Sequence, residues 1–373
     1  MHRRSLVLAG AAAPLGLLLP HAQAAATPIL IGRTAPRQGP VAAMARAHAA
    51  GANLAFEAAN AAGGIGGRPI RWADLDDGGD PARALALARA LIVEQQALAL
   101  FGCAGNQSLA ALEPLLREHG VPAVGAVAVA DSVRLLCRGV GFFARASHAQ
   151  EAEVLARHLA TVGLQRVAIA HTASPFGQEG LKLIGDALAA QRLQVVGSAA
   201  LTAEDATAQE ASRKLMALSP QAVVLFVPGS QAAAMMATAA GLKRHPAFFG
   251  LSIVGDDEAL RRIGPQARGL ALTQVTPNPW RETDRQMEIY RQQARAAGVE
   301  IGYASLAGWI DAQVLIEALR RCGGQLQRPR LTATLRVMQL FVAGMAVDFS
   351  RQDLGGSRFV DLVQLSESGR YLG

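Results

Sequence analysis

The stretch ANLAFEAANAAGGIGGRPIRWADLDDGGDPARA, Ala52 to Ala84, constrains the fold most, because one short block holds a helix, a glycine turn, a strand and a helix restart. Apolar residues recur at Leu54, Ala55, Ala58 and Ala62, the spacing of one helical face. Asn60 with Gly63 and Gly64 marks the helix end, since glycine takes left-handed backbone without strain. Ile70 to Leu75 reads as a strand. Asp80–Pro81 then restarts a helix: the Asp accepts hydrogen bonds from free backbone N–H groups, and the Pro has no N–H to leave unpaired.

Two further segments echo each other. Ile29 to Pro36 and Val167 to Pro175 are short β-rich runs that end in a Thr-Ala turn with Pro. Strands alternating with helices follow each of them, near Ile70, Leu98 and Val121 in the first half and near Val195, Ala222 and Ala247 in the second. Such alternation implies parallel sheets with helices on both faces. The predicted fold class is therefore α/β, with two doubly wound parallel-sheet lobes. A chain of 373 residues that is 51% hydrophobic supplies two cores, and with only 5% aromatic residues those cores must close through Ala, Leu and Val. The first boundary falls at Phe143 to His148, where GFFARAS leads into an amphipathic helix from Ala149. After Gly269 to Thr273, Pro277-Asn278-Pro279 signals a turn into long helices around Gln286 and Leu306. The last strands are placed at Met345 to Phe349 and Arg358 to Leu365, joined by the loop Gln352 to Gly356.

The N-terminus reads as an export signal. His2, Arg3 and Arg4 precede an apolar run from Leu6 to Leu19, and Ala22-Gln23-Ala24 forms a small-x-small cleavage site. Residues 1–24 are assigned to this leader. The run is short for a membrane span and carries Pro14. Arg3–Arg4 suits both general secretion and the twin-arginine route. The body of the chain carries no further candidate span.

A formal net charge of +7 raises the question of nucleic acid. Only Lys182, Lys214 and Lys243 are lysines, the arginines are scattered, and no basic run interleaves with aromatics. No nucleic-acid partner is expected. Cys103, Cys137 and Cys322 make an odd set; Cys103 and Cys137, both near strand ends of the first half, are candidates for a disulfide. No cysteine or histidine spacing fits zinc, and no cofactor is expected.

Enzyme motifs are missing. Gly64-Ile65-Gly66-Gly67 precedes a strand, and Pro69 takes the place of the last glycine of a dinucleotide fingerprint. Gly250 to Val254 lacks the final glycine of a nucleophile elbow. No P-loop and no HExxH occurs, and the pairs Asp76–Asp77 and Asp256–Asp257 read as strand-end caps. A hydrolase or dehydrogenase on an α/β fold is disfavoured accordingly.

In doubly wound sheets, ligands bind at the C-terminal ends of strands. In the first half these are Thr34 to Pro40 with Arg37 as a cation for an anionic ligand, Gly102 to Ser108 with Asn106 or Ser108 as helix caps, and Gly125 to Val129. The second half offers Ser174 to Gly177 with Phe176, Pro228 to Gln231, Ser252 and Gln274; Tyr303 and Trp280 stand where the chain re-enters the first lobe.

The PILIGRTAP strand and turn, the NAAGGIGGR phrase, the following strand and the acidic turn before Asp80–Pro81 resemble the start of type 1 periplasmic solute-binding proteins, the leucine/isoleucine/valine-binding family that serves ABC importers. Weaker similarity continues to the C-terminus. The resemblance implies a three-strand hinge, with residues 27–146 plus 280–343 in lobe 1 and 147–279 plus 344–373 in lobe 2. It implies a monomeric periplasmic receptor that closes on a small amino acid-like or carboxylate-bearing ligand and delivers it to permease subunits in the inner membrane. Strand-end position together with the corresponding family loops gives the candidate ligand contacts as Arg37, Gly105, Asn106, Gln107, Ala126, Val127, Ala128, Phe176, Gln231, Ser252, Gln274 and Tyr303. Family members that bind branched amino acids have paired Ser where Gly105 and Asn106 stand, and often an acid for the ammonium group at the position aligned with Gln231. The GCAGN loop is closer to a subgroup with a G-T-P-x-N phrase. The alternative on the same scaffold is a ligand sensor that feeds a regulatory partner.

Overall fold

The computed structural model describes residues 27–39, 41–202, 205–255, 269–282, 284–366 and 371–372. The expected leader 1–24, Pro40 and the Asp256–Asp257 pair lie outside them.

The first sheet contains β1 (Ile29–Ala35), β2 (Ile70–Asp76), β3 (Ala99–Phe101), β4 (Ala123–Val124) and β5 (Gly141–Phe142), in the order β2-β1-β3-β4-β5 and parallel throughout. The intervening helices are α1 (Ala42–Ala61), α2 (Pro81–Arg89), α3 (Asn106–His119) and α4 (Asp131–Leu136). The opening block folds as its residue types dictate. Gly63 and Gly64 take positive φ after α1. The Asn60 side chain exchanges two hydrogen bonds with the Ile70 backbone, at 2.7 and 2.9 Å, so the helix end supplies the strand's first pairing. Asp80 accepts from Ala82 N at 2.9 Å, with Pro81 at the first helical position.

The chain then crosses to the second lobe through residues 143–147. There α5 (His148–Thr161), β6 (Arg166–Thr172), α6 (Pro175–Ala190), β7 (Gln194–Leu201), α7 (Asp205–Ala217), β8 (Ala222–Phe226), α8 (Gly229–Gly241), β9 (Ala247–Gly250) and β10 (Ala271–Gln274) follow. It returns as α9 (Arg285–Ala297), α10 (Tyr303–Arg321), α11 (Arg328–Val337) and the antiparallel hairpin of β11 (Gln339–Val342) with β12 (Met345–Asp348). A third crossing leads to β13 (Asp361–Leu365) and β14 (Tyr371–Leu372), which complete a seven-stranded sheet ordered β14-β13-β10-β9-β8-β6-β7. β13 runs antiparallel to β10.

Two expectations are corrected here. The hairpin strand β12 does not open the second lobe at 344: Met345 and Val347 are buried in the first lobe's core with Leu315, Leu319 and Met338, so the crossing comes after Asp348. The hairpin pairing places Val342 opposite Met345 and keeps both strands on one lobe. Cys103 and Cys137 form no disulfide; all three cysteines are free and buried. Thr34 Oγ1 lies 3.9 Å from the Cys103 sulfur, while the Cys137 side chain packs beside Gly141 at the far edge of the sheet.

Small residues decide the tightest packing. Helices α1 and α10 touch backbone to backbone at Gly51 and Gly308: a Cβ on Gly51 would stand 1.7 Å from the Ser305 carbonyl oxygen, and one on Gly308 1.8 Å from that of His48. Gly308→Ala is therefore expected to destabilise the protein by about 2 kcal/mol or more, because two helices must separate. Gly185→Ala, inside α6 with nothing near its absent Cβ, is expected to stabilise by about 0.5–1 kcal/mol. Urea unfolding midpoints check both signs.

Candidate functional site

The C-terminal ends of both sheets face each other across a cleft. The first lobe lines it with Met44 and His48 of α1, with Val127, Ala128 and Val129 after β4, and with Arg134 of α4. Arg145 and Ala146 of the first crossing form its floor. The second lobe contributes His148 and Glu151 of α5, Ser252, Ile253 and Gly255 after β9, and Gln274, Val275 and Thr276 at the end of β10. Tyr303, Ala304 and Ala307 of α10 close the wall.

Buried charges position these groups. Asp311, fully buried on α10, lies 2.9 Å from His48 Nε2 and 3.7 Å from Arg145 Nη2. Burial chiefly holds His48 below its usual range, so the imidazole is neutral at pH 7. Its Nε2 must then carry the proton, since a carboxylate only accepts. Arg145 Nη2 also donates to Ala126 O at 3.0 Å. Arg134 donates to the carbonyls of Val129, Arg145 and Ala146 at 3.1–3.4 Å, and its guanidinium lies 5.2 Å over the Phe143 ring. Burial, then Arg145, pulls Arg134 down to about 10, which leaves it cationic at neutral pH. Glu151 accepts from Ser252 N at 2.7 Å, Ser252 Oγ at 2.9 Å and Thr273 Oγ1 at 2.5 Å.

The lobes also meet beside the cleft. Asp131 of α4 accepts from the backbone N–H of His148 and Ala149 at 3.1 and 2.9 Å, and so caps a helix of the other lobe. Ser132 donates through N at 3.0 Å and through Oγ to Glu179 of α6. The first and third crossings run side by side, with Gly356 N to Phe143 O at 2.7 Å and Ser357 N to Ala144 O at 2.8 Å.

Of the residues singled out from sequence, Val127, Ala128, Ser252, Gln274 and Tyr303 stand on the cleft wall. Ala126 stands behind it and holds Arg145 through its carbonyl. Arg37 is exposed and does not line the cleft; its N–H bonds Asp76 Oδ1 at 3.1 Å, which folds the turn outward. Gly105, Asn106 and Gln107 do not line it either. Gly105 is the cap residue of α3, and the Asn106 side-chain Oδ1 accepts from Ala130 N at 2.5 Å, pinning the Val127–Val129 loop. Phe176 packs on Phe226 at 4.8 Å and His148 at 5.5 Å. Gln231 is buried and donates to Thr202 O. Trp280 stands edge-on to Tyr303 at 5.7 Å.

Sequence reasoning missed Met44, His48, Arg134, Arg145, His148, Glu151 and Thr276. Arg145 sat within the GFFARAS boundary phrase, where an arginine between two elements reads as a surface residue. Glu151 lies on the buried face of α5, one turn after its Ser147–Gln150 capping box, and that periodicity was the available signal.

The periplasmic binding protein family matches residues 28–370. An extracellular ligand-binding receptor from Verminephrobacter eiseniae is 25% identical with a TM-score of 0.85, covering 93% of this chain and 100% of that one. A substrate-binding periplasmic protein from Ralstonia solanacearum is 26% identical with a TM-score of 0.83, covering 92% and 99%. A Pseudomonas aeruginosa protein described as an amino acid binding protein is 32% identical over 96 residues, and this match spans 26% of each chain.

The Asp131 cap carries a pH signature. Burial pushes its carboxyl up, but His148, the Ala149 N–H and Arg134 outweigh this and bring it from 3.8 to about 2. A group depressed in the folded state contributes fully above its unfolded value and loses that contribution as pH falls through the folded one. Stability is expected to drop by up to about 2 kcal/mol between pH 4 and pH 2 from this group. Asp131→Asn should be less stable at pH 7 and flatter across that window, as urea midpoints measured at stepped pH would show.

Proposed function

We propose a ligand-trapping role for this chain, which belongs to the periplasmic binding protein family. Members of that family are binding proteins of transporters, not enzymes, and work with ABC permeases on small molecules. On this reading the protein is exported to the periplasm and receives a small amino acid-like or carboxylate-bearing molecule between its lobes. It closes by bending the three crossing segments and presents the closed form to the permease subunits of an inner-membrane importer.

One observation carries the reading: a single cleft is lined from both lobes at the strand ends, with crossing segments as its floor. A ligand there completes contacts that neither lobe makes alone, and differential contact is what shifts an open-closed equilibrium. Val127, Ala128 and Arg145 serve from the first lobe and crossing, Ser252 and Gln274 from the second, and Tyr303 from α10. Arg37, Gly105, Gln107, Phe176 and Gln231 are not carried into this reading, because their side chains or backbone lie away from the cleft wall.

The test is ligand-dependent closure of the mature, ligand-stripped protein. A panel of amino acids, aliphatic and aromatic carboxylates and amides should contain members that lower the radius of gyration in X-ray scattering. The same members should raise the unfolding midpoint, by about 2.7 kcal/mol of added stability at a hundred times the dissociation constant. The liganded form, and not the stripped one, should stimulate the ATPase of the reconstituted importer. Binding without compaction would sink the trap mechanism.

A further inference from the structure

We infer that the cleft is built for an organic carboxylate that carries no α-ammonium group, with Arg145 and Gln274 as the donors that hold its charge. The inference rests on the ligand-trapping reading above. Arg145 has a half-used guanidinium: Nη2 donates to Ala126 O and faces Asp311, whereas Nε and Nη1 donate to nothing among the described residues. Its side chain is 15% exposed, and it lines the cleft. From the opposite lobe, Gln274 is 3% exposed and lines the same space, and its Nε2 has no hydrogen-bond partner. A buried amide donor without an acceptor is destabilising unless something supplies one. Two donors on two lobes, one of them cationic, fit a carboxylate that both lobes grip on closing.

The carboxylates on the cleft wall and beside it are engaged. Glu151 takes three donors from Ser252 and Thr273, Asp131 takes two backbone N–H groups of α5, and Asp311 takes His48 and faces Arg145 through Oδ2. The Asp311 Oδ1 has no hydrogen-bond partner, but Asp311 is fully buried and does not line the cleft. The unpartnered Nδ1 of His48 belongs to a neutral ring and lies toward Gly102, where a Cβ would approach it to 3.4 Å. An ammonium group entering this site would be desolvated beside two guanidiniums, Arg134 and Arg145, with no uncommitted carboxylate among the residues that line the cleft. The remaining walls, Met44, Val127, Ile253, Val275, Ala304 and Ala307, offer apolar surface to the body of the acid.

The experiment is calorimetric titration of the ligand-stripped mature chain with matched sets: 4-methylpentanoate, leucine and 4-methylpentanamide; 3-phenylpropanoate, phenylalanine and 3-phenylpropanamide; and short dicarboxylates. Each is followed by scattering for closure. The acids are expected to bind about a hundredfold more tightly than the amino acids and amides of the same skeleton. Arg145→Gln and Gln274→Met should each weaken the acid about tenfold. Gln274→Met should do so with the unfolding midpoint not lowered, whereas Arg145→Gln should also lower the midpoint because Asp311 loses a partner. Should Arg145→Gln fail to fold, Gln274→Met on the other lobe carries the same test. Leucine or phenylalanine binding as tightly as its deaminated partner overturns the inference, and closure by either leaves the trap standing. Closure by amides alone likewise overturns the inference and keeps the trap. If no member binds or closes the lobes, both fall.

Discussion

The buried carboxylate of Asp311 is the interaction on which the cleft wall depends. It lies at 0% exposure on α10, where an unpaired charge would be costly, and it is compensated by His48 from α1 and Arg145 from the first crossing. These partners come from three distant parts of the chain, so satisfying one carboxylate fixes three elements against one another. Gly125 is part of the same arrangement: any Cβ there would stand 2.7 Å from Asp311 Cβ, so the loop after β4 passes close only because that residue is glycine. The backbone contact of α1 with α10 at Gly51 and Gly308 brings His48 within reach of Asp311 in the first place.

Around the first crossing a second set of buried charges performs a related task. Arg134 holds the carbonyls of the β4–α4 loop and of the crossing together, and Asp131, three residues earlier, caps α5 in the other lobe. One short helix therefore connects the cleft loop, the crossing and the second lobe. These contacts place the cleft loop and the first crossing under one constraint. Like-charge proximity of Arg134 and Arg145 is tolerated because backbone carbonyls and nearby carboxylates surround them.

The fold was legible wherever local chemistry and tertiary structure agree. Asn60, Gly63, Gly64, Asp80 and Pro81 have roles set by helix termini, and they perform them. The echo of Ile29–Pro36 in Val167–Pro175 reflected two sheets whose leading strands are parallel, because each run is the first strand of its lobe. The cleft was legible by position more than by residue type: Val127, Ala128, Ser252 and Gln274 follow strands, as ligand loops in such sheets do. Arg37, the lone cation after β1, does not line the cleft, and its backbone N–H is held by Asp76. Asn106 looked like a cap or a ligand contact, and instead braces the loop that lines the cleft.

By itself the sequence determined the two-lobed α/β class, the order of strands and helices and most of their ends, since these follow from periodicity and from the backbone preferences of Gly, Pro, Asn and Asp over a few residues. Only the tertiary structure decided that the hairpin strand β12 stays with the first lobe, that Cys103 and Cys137 remain apart, and that Arg145, Glu151 and Asp311 build the cleft. The reason is sequence separation. His48 meets Asp311 across 263 positions and Glu151 meets Thr273 across 122. A buried charge takes its partner from whatever the packed fold brings within hydrogen-bond distance, and no local pattern records that choice.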